Sequence, residues 1–192
     1  MTAPTKSDLR RALRAARRAH VAALPETVRA LVFHRPPAAL LARIGDEAVI
    51  GLYHAAPDEA PSAAYARFFL EAGHTIALPH FSARTAAMCF RRHTDPYGES
   101  DLVPGPFGVL QPAADAEALV PDVLIVPLLG FTPALMRLGQ GGGHYDRWIA
   151  EHPPRLAVGL AWDVQLCEAL PTEPHDRPLD AVVTPTRVYG LD

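Results

Sequence analysis

The chain has 192 residues, 49% of them hydrophobic and 20% charged, with a net charge of −3; its twenty prolines are scattered, so one folded domain with a real core is expected and no disordered tract. No apolar run approaches the ~18 residues of a membrane helix, and the basic N-terminus lacks the apolar stretch of a secretory signal. The two cysteines, Cys89 and Cys167, form no CxxC pair, which fits a reducing cytoplasm and no membrane partner.

The charge is uneven along the chain. Residues 1–43 carry nine Lys/Arg against Asp8 and Glu26, a balance of +7, and the remainder carries −10. Such an arm suits an anionic partner, either a nucleic acid or a nucleotide phosphate, or it is a solvated helix face. "KSDLRRALRAARRAHVAAL" (6–24) predicts a helix. Leu9, Ala12, Leu13, Ala16 and Ala19 fall on one side, and Arg10, Arg11, Arg14, Arg17 and Arg18 on the other. Thr5 or Ser7 can cap it. A second helical stretch is expected from Glu26 to about Ala42, against the resistance of Pro36 and Pro37.

The period then changes. The short β-branched runs 48–53, 74–79, 123–129, 156–162 and 180–185 suit strands buried on both faces. Helical patterns separate them at 60–72, 143–151 and 163–169. This alternation predicts a single three-layer α/β domain over residues 1–192, with a mainly parallel central sheet flanked by helices. "AAMCFRR" (86–92) fits an added strand or hairpin arm. The Gly/Pro-rich segment 95–115 reads as a long loop over the site. There is no internal repeat.

"RLGQGGGHYDRW" (137–148) packs four glycines into five positions, after the strand at 123–129 and before a helix. Glycine lets the backbone come close to a ligand and take positive φ. A helix N-terminus offers amide donors to an anion, and Arg137 and Arg147 add charged ones. A phosphate cradle is the expectation. It is neither a Walker A loop, having no Gly-Lys-Ser/Thr, nor a Rossmann fingerprint, because His144 stands where the third glycine belongs. Asp146, just past the glycines, and Asp176, in a Pro-rich turn, are candidate magnesium ligands, since magnesium takes one or two carboxylates beside phosphate oxygens. Each alone is more often a cap or turn residue. Nothing in the spacing of nine histidines matches a zinc site or an acyl-hydrolase elbow.

These segments together resemble the 5-formyltetrahydrofolate cyclo-ligases, or methenyltetrahydrofolate synthetases. The resemblance rests on "KSDLR" (6–10), "GLYHAAPDE" (51–59), "IALP" (76–79), "GPFGVLQP" (105–112), "LIVPLLGF" (124–131), "RLGQGGGHYDR" (137–147), "VQL" (164–166) and "LPTEPHD" (170–176), in order along the chain. It implies a Rossmann-like domain of cyclo-ligase type. It implies ATP- and magnesium-dependent closure of 5-formyltetrahydrofolate, with or without a polyglutamate tail, and no obligate protein partner.

Carried over by position, Lys6 and Arg10 would meet ATP phosphates, with residues 1–43 as an arm packed over the nucleotide. Arg137, Leu138, Gly139, Gln140, Gly141, Gly142, Gly143, His144 and Tyr145 would cradle ATP. Arg137, Tyr145 and Asp146 would form the catalytic set, and Asp146 and Asp176 would hold magnesium. His54 and Glu59 would contact the folate, and Phe81 and Phe107 either line the pterin slot by stacking or pack in the core. The chain departs from the family pattern at Gln111, Thr132, His144 and the residues after Glu59. Thr132 and the Glu59 segment are expected on the folate side, which leaves open a diverged nucleotide- or folate-binding relative with an altered acceptor. Nucleic-acid binding through the arginine-rich helix is a third reading, opposed by the acidic balance of the chain and the lack of a nucleic-acid-binding motif.

Overall fold

In the computed structural model, which describes residues 5–171, Glu173 and residues 177–191, the β-branched runs form the middle of one eight-stranded sheet. In chain order, α1 (Lys6–Ala23), α2 (Glu26–Leu31) and α3 (Ala38–Leu41) precede β1 (Val49–Gly51), α4 (Ala63–Glu71), β2 (Thr75–His80) and β3 (Cys89–His93). Next come β4 (Leu102–Pro104), β5 (Leu110–Pro112), β6 (Ala118–Leu119), β7 (Val123–Pro127), β8 (Gly130–Phe131) and β9 (Arg137–Leu138). The chain ends with α5 (His144–Glu151), β10 (Leu156–Leu160), β11 (Ala181–Val183) and β12 (Val188–Tyr189).

The strand order is β12-β11-β10-β7-β1-β2-β3-β6. From β11 to β2 every neighbouring pair is parallel, and the antiparallel strands lie at the two flanks. Segment 86–92 thus resolves as β3, an antiparallel neighbour of β2.

A parallel strand covered on both faces needs apolar residues at every position, and β7 shows the result. Val123 and Ile125 enter one core cluster while Leu124 and Val126 enter the other, and none is exposed. Val21 of α1 and Tyr65, Ala66 and Phe69 of α4 close the first cluster, and Trp148 of α5 joins the second. Helices on both faces of a mostly parallel sheet make the three layers. Gly159 in β10 marks a close approach: a Cβ there would lie 2.5 Å from Leu128 Cδ2. Among the described residues, no helix is long and apolar enough to cross a membrane.

Four expectations need correction. First, α1 starts on Thr5, whose hydroxyl accepts the Asp8 N–H at 3.2 Å, but its inner face is not the alanine side. Ala12, Ala16 and Ala19 are exposed, whereas Arg17 is buried at 3% beside Val21. Small alanines bury little area, and a long arginine stem packs well if its head finds acceptors.

Second, the helix expected over 26–42 breaks into α2 and α3. Phe33 turns to φ 56 and buries its ring, and two successive prolines without N–H groups force the restart. Third, the helix expected at 163–169 is one 3-10 turn, Asp163–Gln165. Buried Gln165 ties it down by accepting the Trp162 N–H at 2.7 Å and donating to Leu128 O at 2.6 Å. Fourth, segment 95–115 is not all loop: β4 and β5 pair as a hairpin, Leu102 opposite Pro112 and Pro104 opposite Leu110. Gly108 supplies the positive φ of its turn.

Candidate active site

Parallel strands present their carboxyl ends on one edge, where α/β sheets usually bind ligands. Here that edge opens into a cavity of ≈ 780 Å³, lined by residues following β1 (Tyr53, His54), the end of β2 (Pro79, Phe81) and the end of β7 (Pro127). It also takes in Lys6, Arg10, Glu59, Phe107 and the run Arg137–Asp146. Every described residue of the expected site therefore borders one space. Asp176 lies outside the described residues.

The glycine loop is held from both sides. Its entry strand β9 pairs with β8, Phe131 opposite Arg137. Helix α1 grips its carbonyls: Arg10 Nε donates to Gly139 O at 3.0 Å, and Arg14 Nη2 donates to Gln140 O at 3.0 Å. Gly141 has φ 109 and Gly143 has φ 61, which side chains resist. Around Gly139 a Cβ would meet nothing within 4 Å, so backbone there is open to a ligand. Gly143 is the N-cap of α5, and no side chain caps that helix. Its first-turn amides have no intrahelical acceptors and carry the positive end of the helix dipole.

Arg137 and Asp146 bracket the loop and pair with each other, Nη2 to Oδ1. The Arg137 side chain is 6% exposed and that of Asp146 is 40% exposed. A single half-open carboxylate beside an anion cradle fits a magnesium ion that arrives on phosphate oxygens. Among the described residues, no three His, Cys, Asp or Glu side chains come together as a self-sufficient metal cage. At the far end of the arm, Lys6 Nζ lies 3.2 Å from Glu173 Oε1.

Burial, and then the Glu59 carboxylate, push the Tyr145 phenol far above its ordinary value against the pull of Arg137. It is a neutral hydroxyl at the cavity wall. His144 is held down by burial and by Arg147. Arg147 Nη2 lies 3.1 Å from His144 Nδ1, and guanidinium only donates, so Nδ1 accepts and the ring is neutral.

The His144 ring sits 4.9 Å from Phe81 and 5.5 Å from Phe107, and the two phenylalanine rings are 4.8 Å apart, all near edge-to-face. Gln111 fixes this cluster: its Oε1 accepts the Phe81 N–H at 3.1 Å and its Nε2 donates to Phe81 O at 3.0 Å. An amide can do both, while a carboxylate only accepts.

Glu59 lies across the cavity. Its Oε2 accepts the Ala56 N–H at 3.0 Å, and its Oε1 accepts from Gln140 Nε2 at 3.3 Å. Arg17 approaches the same oxygen at 3.7 Å and holds Asp58 at 3.0 Å. His54 Nε2 lies 3.3 Å from Glu99 Oε1. Tyr53, His54, Ala56 and Glu59 also line a second cavity of ≈ 540 Å³.

Thr132 is not among the residues that line either cavity. It sits buried in the β8–β9 hairpin, where its N–H bonds Met136 O at 3.0 Å, so its expected folate-side place is corrected. Sequence reasoning passed over Arg14, Arg17 and the Gln140 side chain. A signal was available: Lys6, Arg10, Arg14 and Arg17 recur at helical spacing and form one basic stripe.

A model of the 5-formyltetrahydrofolate cyclo-ligase family matches residues 2–185. The 5-formyltetrahydrofolate cyclo-ligase of Escherichia coli (strain K12) is 39% identical over 124 residues, which span 62% of this chain and 67% of that protein. The Mycolicibacterium smegmatis protein of the same name is 32% identical, over 62% of this chain and 63% of its own. Among solved structures, the Aquifex aeolicus 5,10-methenyltetrahydrofolate synthetase superposes with a TM-score of 0.63 at 25% identity, covering 98% of this chain and 85% of its own. A 5,10-methenyltetrahydrofolate synthetase from Mycoplasma pneumoniae shares the fold, with a TM-score of 0.64 at 18% identity over 93% of this chain and 98% of its own.

Proposed function

The chain belongs to the 5-formyltetrahydrofolate cyclo-ligase family, and from that premise we propose that its large cavity is where ATP drives closure of 5-formyltetrahydrofolate to 5,10-methenyltetrahydrofolate, releasing ADP and phosphate. Residues 1–192 act as one domain, with residues 1–43 as the arm over the nucleotide. The observation that carries this reading is the shared space: the glycine loop, Lys6 and Arg10 of α1, the aromatic cluster and Glu59 all border one cavity.

The chemistry sets the demands. A formamide carbonyl is a poor electrophile. Transfer of the γ-phosphoryl group to its oxygen makes that oxygen a leaving group, the neighbouring N10 amine attacks the carbon and gives up its proton to solvent, and phosphate departs as the ring closes. The protein must hold two reactants in line and offset phosphate charge. Lys6, Arg10 and Arg137 supply positive charge, and the loop amides and α5 N-terminus supply donors. Asp146, with Asp176 as second candidate, would hold magnesium, which when bound offsets further phosphate charge. Glu59 would accept two adjacent N–H groups of the pterin edge, as a carboxylate can. His54 would stand beside it. Phe81 and Phe107, with His144, would line the pterin slot, and neutral Tyr145 would donate to a phosphate or formyl oxygen.

The test is absorbance of methenyltetrahydrofolate on mixing the protein with (6S)-5-formyltetrahydrofolate, ATP and magnesium, and then omitting each in turn. Product that needs all three is expected. Product formed without ATP, or none with all three present, would overturn the reading.

A further inference from the structure

Gln140 is an exposed residue in the middle of the glycine loop, yet its side chain spans the cavity mouth. Its Oε1 accepts from Arg14 Nε at 3.0 Å, and its Nε2 donates to Glu59 Oε1 at 3.3 Å. The orientation of the amide is fixed by its partners, because a guanidinium only donates and a carboxylate only accepts. The fork of Arg14 also takes the Gln140 carbonyl, so residue 140 is held at two points. Its neighbours are glycines, and Gly141 stands at φ 109. The position of the Gln140 amide is thus set by the loop, and the loop by whatever binds its amides.

We propose that the Gln140 side chain couples the two halves of the cavity, so that nucleotide on the glycine loop tightens the hold of Glu59 on the folate. The proposal rests on the functional reading above and adds a positioning residue to it. Glu59 has three restraints: the Ala56 amide on one oxygen, with Gln140 and Arg17 on the other. Ala56 lies next to the acid in sequence, and Arg17 reaches the loop only indirectly, through α1, whose Arg10 and Arg14 hold the loop carbonyls. Gln140 belongs to the loop itself and joins the acid to it directly. An anion seated on the loop amides restricts the glycines and thereby the amide that orients Glu59. The folate then meets an acceptor whose freedom is already reduced, which is positive coupling without a large movement. By linkage the folate strengthens nucleotide binding by the same factor.

Calorimetric titration of the full chain with (6S)-5-formyltetrahydrofolate, with and without a saturating non-hydrolysable ATP analogue plus magnesium, reads the factor directly. In the wild type the analogue should tighten folate binding about fivefold or more. Gln140→Ala should bring the factor close to one. Gln140→Glu, which keeps the length but sets a second carboxylate against Glu59, should remove it too and weaken folate binding without nucleotide. A residue that merely shapes the loop would alter nucleotide affinity and leave the factor intact. A factor kept in Gln140→Ala overturns the proposal, and so does a factor of one in a wild type that binds both ligands; the latter leaves the proposed function standing. A wild type that binds neither ligand overturns both.

Discussion

Arg10 shows what a single side chain contributes to this site. Its Nε holds Gly139 O at 3.0 Å, and its charge faces the cavity in which phosphate is expected. Arg10→Ala, and separately Lys6→Ala, should raise the apparent KM for ATP about tenfold or more, since a charged hydrogen bond contributes about 1.5–3 kcal/mol. Unchanged ATP kinetics in both would show that neither side chain meets the nucleotide. His144 gives a prediction with a definite sign. Its proton affinity in the fold is lowered by burial and by Arg147, so the unfolded chain takes up the proton first as pH falls. The imidazole therefore withdraws no stability above its ordinary value near pH 6.5 and an increasing amount below it. The melting temperature of His144→Phe relative to wild type should rise on going from about pH 7.5 to about pH 5.5, on either side of that value. A difference independent of pH would contradict the neutral ring. At this scale the site was largely legible: Arg10, Glu59 and the 137–146 run stand in motifs. Gln111 and Arg17 were not, because their roles depend on backbone groups and carboxylates brought close only by the fold.

At the scale of elements, the glycine loop, α1 and the β4–β5 hairpin build the cavity. The loop needs its glycines unequally. Gly141 at φ 109 lies outside the region an alanine tolerates, and such strain costs about 1–3 kcal/mol. Gly141→Ala should therefore shift the loop and lower kcat/KM for ATP by roughly tenfold, which corresponds to about 1.4 kcal/mol; steady-state kinetics checks it, and wild-type values would show that the loop geometry is not required.

The buried strands were legible because an element covered on both faces must be apolar throughout, and β7 and β10 are. The inner face of α1 was misread because periodicity counts alanine as apolar, whereas this helix buries Arg17 against Asp58. The β4–β5 hairpin escaped because three-residue strands ending in prolines carry too little periodicity to register. The split of 26–42 was signalled by Pro36–Pro37, but the turn at Phe33 was not, since positive φ at an aromatic residue is rare.

For the whole molecule, the arm is joined to the sheet both in the core, through Val21, Phe33 and Leu40, and at the site, where α1 bonds the glycine loop and Arg17 reaches the loop after β1 and the carbonyl of Leu128 beyond β7. A ligand bound between them should stabilise the entire fold. At about 100 times its Kd a nucleotide adds about 2.7 kcal/mol, which for a chain of this size is a rise of about 5–10 °C in melting temperature. The rise should shrink in Arg10→Ala at the same ATP concentration, and an equal rise in both proteins would place the nucleotide elsewhere.

The central claim is that the γ-phosphoryl group and the formyl oxygen meet in this one cavity. The most direct measurement is to carry out the reaction with 5-formyltetrahydrofolate labelled with oxygen-18 in the formyl group and to analyse the released phosphate by mass spectrometry. One labelled oxygen per phosphate is the predicted result. Unlabelled phosphate, with the label lost to water, would contradict it.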